Sequence, residues 1–214
     1  MGSSSLNIGV VAPAKAITIE AADKLSRLAY ERYGSEVKLK FHPQCFLEHG
    51  HFAGTDEARS LAFLEYANSP EHDVIWSARG GYGCMRLHDD MFDRLNENAR
   101  AKAYIGYSDF GAVLARLYKM QIGRLIHGPM PVEVNRSVGG EECVTRVLDY
   151  VTGRSKDGIE PTRSAHPRIA INLTILEHII GTPWQPDLSG HVIMIEDVGE
   201  YEYAIDRKMF TLCS

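Results

Sequence analysis

The chain has 214 residues, 44% of them apolar and 24% charged, which is the composition of a globular protein with a real core. It excludes a wholly disordered chain and a small disulfide-stapled one. The net charge of -5 offers no basic excess for wrapping a phosphate backbone, so nucleic acid is not expected among the partners. The four cysteines, Cys45, Cys84, Cys143 and Cys213, form no C-x-x-C pair and read as reduced thiols of a cytoplasmic protein, without a metal. Met1 to Ser5 is small and polar, unlike a signal peptide, and no 18-residue apolar run occurs, so no membrane is expected either.

The elements follow in chain order. Leu6–Ala12, an apolar run ending at Pro13, predicts a buried first strand. Thr18 caps a predicted helix reaching about Tyr33, with Ala21, Ala22, Leu25, Leu28 and Ala29 on its apolar face. Val37–Phe41 alternates apolar residues with lysine, the pattern of a half-exposed strand. After a His42–Gly54 loop, Thr55 starts a helix with Ala58, Leu61, Ala62, Leu64 and Glu65 at helical spacing. Asp73–Ala78 is a buried-type strand, and Gly80, Gly81 and Gly83 follow it directly. Met85–Leu95 reads as a short helical region, Lys102–Tyr107 as a strand, and Asp109–Met120 as a helix with Val113, Leu114 and Leu117 inward. Leu125–Pro129 is a short strand or turn, and Glu141–Val151 is a helix.

Strands and helices thus alternate to about residue 150, which argues for a mostly parallel sheet with helices on both faces. Gly153–Pro167 reads as a linker. The expected organisation is an N-terminal domain over 1–152, a linker over 153–167, and a partial C-terminal α/β domain over 168–214. Apolar segments of the last part, such as Val192-Ile193-Met194-Ile195, need a partner layer, and 47 residues are few for a core of their own.

The sharpest local feature is Tyr104-Ile105-Gly106-Tyr107-Ser108-Asp109-Phe110-Gly111. An apolar strand ends in Gly-x-Ser and a helix begins at once, the setting of a nucleophile elbow. Phe110 stands where that motif has its second glycine, so Ser108 is either a nucleophile or a simple helix cap; Asp109 is the alternative cap. Ala78-Arg79-Gly80-Gly81-Tyr82-Gly83 is either an anion-cradling turn or a turn whose glycines only permit positive φ. Arg79 is a candidate for a substrate carboxylate. No phosphate-binding fingerprint follows the first or middle strand. A serine nucleophile needs a base, and of nine histidines His127 borders the expected cleft, where it is either a base or a structural residue. Glu196 or Asp197, at the end of an apolar strand, either orients a histidine or faces solvent.

In these motifs the chain resembles the LD-carboxypeptidase family, which also contains the microcin-immunity serine peptidases. The likeness runs from Ile8-Gly9-Val10-Val11-Ala12-Pro13 through the 78–83 and 105–109 segments and His127-Gly128-Pro129-Met130. It continues at Asn172-Leu173, Gly181-Thr182-Pro183, Ile195-Glu196-Asp197-Val198, Glu200 and Asp206-Arg207. The resemblance implies a flavodoxin-like first domain, Ser108 as nucleophile, Glu196 orienting the catalytic histidine, backbone amides of Gly81 and Asp109 as oxyanion hole, and Arg79 and Gly80 toward the substrate. It implies release of terminal D-alanine from cell-wall tetrapeptides in cytoplasmic murein recycling, by a homodimer without cofactor or metal. The family's histidine lies in a Gly-His segment far beyond Glu196, and no histidine here matches it, so these residues are expected to be a C-terminally truncated form that hydrolyses poorly by itself. The alternatives are a microcin-immunity-like peptidase acting on peptidyl-nucleotide amides and a non-catalytic peptide-binding module.

Overall fold

The computed structural model describes residues 5–157, 159 and 164–213. The expectations for residues 1–4 and for part of the 153–167 linker, at 158 and 160–163, lie outside the described residues.

Five parallel strands form the main sheet: β1 (Leu6–Val11), β2 (Val37–Phe41), β3 (Val74–Ser77), β4 (Ala103–Gly106) and β5 (Arg124–His127), in the order β2-β1-β3-β4-β5. That is the flavodoxin-like order of a doubly wound sheet. Alternate strand residues point to opposite faces, so one strand feeds two cores. Ile8, Val10, Trp76 and Ile105 go to the face covered by α1 (Ile19–Tyr33) and α6 (Gly140–Val151). Val11, Ile75 and Tyr104 go to the face covered by α2 (Asp56–Asn68) and α5 (Gly111–Lys119). Two short helices, α3 (Asp90–Asp93) and α4 (Glu97–Ala101), lie between β3 and β4.

The local signals act as their chemistry requires. Thr18 Oγ1 accepts from Ala21 N at 3.2 Å and Thr55 Oγ1 from Ala58 N at 3.1 Å, which fixes the starts of α1 and α2. The apolar face expected of α2 needs correction: Leu61 is 48% exposed, while Arg59 is fully buried. The helix expected from Asp109 begins as a 3-10 turn over Ser108–Phe110 and becomes α5 only at Gly111.

The segment beyond 167 forms a second, two-stranded parallel sheet, β6 (Arg168–Asn172) with β7 (Val192–Glu196), joined through α7 (Leu173–Ile179) and followed by α8 (Glu202–Cys213). It is a small separate sheet-and-helix unit, consistent with an incomplete second domain. Its inner side chains Ile171, Ile175, Leu176, Ile179 and Trp184 join the core beneath α5. Trp184 packs edge-on against Phe92, with ring centroids 5.1 Å apart, and donates to Asp89 at 2.8 Å. Val192, Met194 and Ile195 of β7 stay exposed, and α8 buries no residue. Among the described residues no helix is long and apolar enough to cross a membrane.

Candidate active site

The carboxyl ends of parallel strands are where loops of a doubly wound sheet gather ligands. Here the loops after β1, β3, β4 and β5 meet. The turn after β4 is the strained one: Ser108 has φ +56, and the only other non-glycine residue with positive φ among those described is Gln121. Left-handed backbone costs a side-chain-bearing residue about 1–2 kcal/mol. The surroundings hold it in place. Asp109 is buried, and its Oδ2 accepts from the Cys84 amide at 2.7 Å, tying the elbow to the glycine turn after β3. Burial raises the Asp109 carboxyl above its usual range, against the lowering effect of the Cys84 donor.

Neither Ser108 nor Asp109 caps a helix with its side chain. The Ser108 hydroxyl is therefore not consumed locally, and the residue is half-buried beside the glycine turn. A Cβ added to Gly80 would lie 3.0 Å from the Ser108 oxygen. Only glycine there lets the turn lie this close over the hydroxyl. Gly81 and Gly83 have φ +131 and +134, as the sequence reading of a positive-φ turn requires. Arg79 donates to the Ala16 carbonyl at 3.4 Å, bridging this turn to the loop after β1.

Tyr107, one residue before Ser108, donates to Glu133 Oε1 at 2.5 Å and accepts from Arg136, and Arg136 in turn pairs with Glu133. Burial, reinforced by Glu133, pushes the Tyr107 hydroxyl up to about 12, so it stays a neutral donor. Its ring stands 6.0 Å from that of His127, which lies beside Gly106 in the β4–β5 register.

His127 and Glu196, 69 positions apart, come together. His127 Nε2 is 3.7 Å from Glu196 Oε1, beyond hydrogen-bond range but within ion-pair range. Burial lowers the histidine to about 4 and raises the glutamic acid, with Asn172 partly opposing the rise. Burial disfavours charge on both, and His127 is neutral at pH 7. Glu196 Oε1 is a buried acceptor with no donor among the described residues. Asp197 turns elsewhere: Oδ2 accepts from Thr174 N and Oγ1, and Oδ1 from Val198 N. Burial tends to raise its carboxyl, but these donors and Asn172 win and hold it low. No group of three or more metal-ligating side chains gathers among the described residues.

The His127 burial carries a pH prediction. Its pKa is about 6.5 unfolded and about 4 folded, so the unfolded chain binds more protons between those values. Stability is therefore lost as pH falls from 6.5 toward 4. Between pH 7 and pH 5 urea unfolding should show about 2 kcal/mol more loss in the parent than in His127→Gln. Glu196, present in both proteins, works in the opposite sense. Equal slopes in the two proteins would refute the assignment.

A positive-φ serine at a strand-to-helix turn, a glycine turn packed against it and a histidine–carboxylate approach from the second unit set the candidate site at the carboxyl edge of a parallel α/β sheet. The LD-carboxypeptidase N-terminal domain matches residues 8–128, and the LD-carboxypeptidase C-terminal domain matches residues 168–213. The chain belongs to the LD-carboxypeptidase family.

The murein tetrapeptide carboxypeptidase of Pseudomonas aeruginosa is 26% identical over 96% of this chain and 70% of its own length. The solved muramoyltetrapeptide carboxypeptidase of Oxalobacter formigenes superposes with TM-score 0.78 and 26% identity, over 96% of this chain and 70% of that one. Relatives from Rickettsia conorii, Synechocystis and Rickettsia prowazekii are 25%, 32% and 27% identical, and the chain spans 68%, 52% and 54% of their lengths.

One expectation is corrected here. The microcin C7 self immunity protein MccF shares the fold at TM-score 0.74 and 20% identity, over 100% of this chain and 75% of that one, and is solved with glutamyl sulfamoyl guanosine. Other structures of it hold aspartyl sulfamoyl adenosine and adenosine monophosphate. Excluding nucleic-acid chemistry from the partners therefore went too far. Net charge speaks against a polyanion wrapped over the surface. It says nothing about a single nucleotide held in a cleft.

Proposed function

We propose that the protein is a serine LD-carboxypeptidase of murein recycling in the cytoplasm, releasing the terminal D-alanine of muropeptide tetrapeptides. The observation that carries this reading is Ser108 at φ +56, its hydroxyl bound to no cap and its space kept open by Gly80. The Ser108 oxygen attacks the scissile carbonyl as an imidazole base takes its proton. The oxyanion is received by the amides of Gly81 and Asp109. The imidazole returns the proton to the departing D-alanine nitrogen, and water attacks the acyl-serine in the second half. Glu196 Oε1, an acceptor still without a donor, suits the role of orienting that imidazole. The histidine the resemblance implies is not among the nine of this sequence. Attack in these 214 residues is accordingly slow for want of a base.

Chemical rescue tests this. A fluorophosphonate probe should label the chain slowly, added imidazole should speed labelling, and Ser108→Ala should remain unlabelled in both conditions. No labelling of Ser108 with or without imidazole would sink the peptidase reading. A peptidyl-nucleotide amide is the alternative substrate, favoured by the nucleotide ligands seen on this fold. Release of D-alanine rather than of a nucleotide product decides between them.

A further inference from the structure

Building on the carboxypeptidase reading, we propose that Lys15 is the residue that recognises the free carboxylate of the substrate's terminal residue. An enzyme that removes one C-terminal residue must find a carboxylate whose carbon lies three bonds from the scissile carbon, at most about 4 Å away. A cation beside the nucleophile reads that charge most strongly, and the structure narrows the choice among the cations present. Arg59 is buried and spends its guanidinium on the carbonyls of Pro13 and Gly83 and on Asp56. Arg86 is paired with Asp56, and Arg136 with Glu133. Arg79 is directed to the Ala16 carbonyl.

Lys15 differs from these. It sits in the loop after β1, half-buried, and no hydrogen bond or ion pair to its ammonium is found among the described residues. Its stem crosses the glycine turn. A Cβ on Gly81 would lie 3.0 Å from Lys15 Cγ and Cδ and 3.5 Å from Cε. The neighbouring glycine, one Cα step of about 3.8 Å away, is the one whose added Cβ would lie 3.0 Å from the Ser108 oxygen. The missing side chain at Gly81 makes the channel in which the lysine stem lies, and the missing one at Gly80 makes room at the hydroxyl. The ammonium, at the end of a flexible four-carbon stem, therefore ranges over the turn within reach of a carboxylate held beside Ser108. A carboxamide at the same place would offer only a neutral acceptor, and the charge-assisted bond would be lost.

The test measures binding in a Ser108→Ala background, so that nothing turns over. The probes are the tetrapeptide L-Ala-γ-D-Glu-L-Lys-D-Ala and its C-terminal amide. The acid should bind at least about tenfold more tightly than the amide. Lys15→Met, which keeps the stem and removes the charge, should bring the two within about twofold, with the amide's own affinity unchanged. Lys15→Arg should retain the preference, and Arg79→Met should leave it intact. Persistence of the preference in Lys15→Met, or its loss in Arg79→Met, would overturn the assignment. Equal binding of acid and amide by the parent would overturn it too, while leaving the serine peptidase reading to the labelling experiment. Failure of both peptides to bind would overturn this assignment and the muropeptide substrate together.

Discussion

Methionine in place of Arg59 is expected to lower the unfolding free energy by about 2–5 kcal/mol, the cost of leaving two buried carbonyls without their charged donor. At about 2–4 °C per kcal/mol for a chain of this size, the melting temperature should fall by roughly 10 °C. The reason lies in what the side chain satisfies. Arg59 is 0% exposed, on a helix whose other charged residues are exposed or half-buried. One terminal nitrogen donates both to the carbonyl of Pro13, in the loop after β1, and to that of Gly83, in the turn after β3, the latter at 2.8 Å. The other nitrogen pairs with Asp56, and the guanidinium lies over the Phe52 ring at 4.8 Å. Methionine replaces the packing but leaves two loop carbonyls unmatched in the interior, while the partly exposed Asp56 keeps Arg86. Lysine should recover only part of the loss, because a single ammonium cannot reproduce the planar fork. The turn after β3 borders Ser108, so imidazole-assisted labelling should slow at temperatures where the variant is still folded. A melting shift under about 2 °C would show that the network stabilises little.

That arginine also shows where reading the sequence stops. Cap and periodicity were legible: Thr18, Thr55, the strand patterns and the glycine turn are each written in residues within a few positions of one another. Arg59 acts through partners 46 and 24 positions away, and no helical pattern assigns an arginine to the interior on that account. Pattern instead favours Leu61, which faces solvent. The run Ile169–Ile180 is mostly apolar, and short apolar runs do not distinguish strand from helix. The switch is set by Asn172, whose side-chain oxygen accepts from Ile175 N at 3.1 Å and starts α7. Within the site, Ser108 and the glycine turn were legible because strand, turn and helix follow each other directly. The approach of Glu196 to His127 was not, since it needs the second unit seated on the first.

Glycine at position 108 separates the two consequences of the elbow, its chemistry and its strain. Acylation by the fluorophosphonate should disappear in Ser108→Gly as completely as in Ser108→Ala, because only the hydroxyl can be acylated there. Stability should differ in the other direction. Alanine keeps the cost of a side chain at φ +56, whereas glycine enters that region freely. Part of the gain is returned, because glycine loses more freedom on folding. The net expectation is a Ser108→Gly variant about 1 kcal/mol more stable than Ser108→Ala, or roughly 2–4 °C in melting temperature. Gln121, at φ +55, supplies the control: Gln121→Gly should gain stability for the same reason and leave labelling untouched. A Ser108→Gly protein no more stable than Ser108→Ala would mean that the turn carries no strain at this residue. The elbow would then owe its exposure to Gly80 and to the Asp109–Cys84 bond alone. A stable, unreactive glycine variant beside a reactive but costly serine is what is expected of a position kept for its chemistry, since a residue kept for packing would lose stability on the same change.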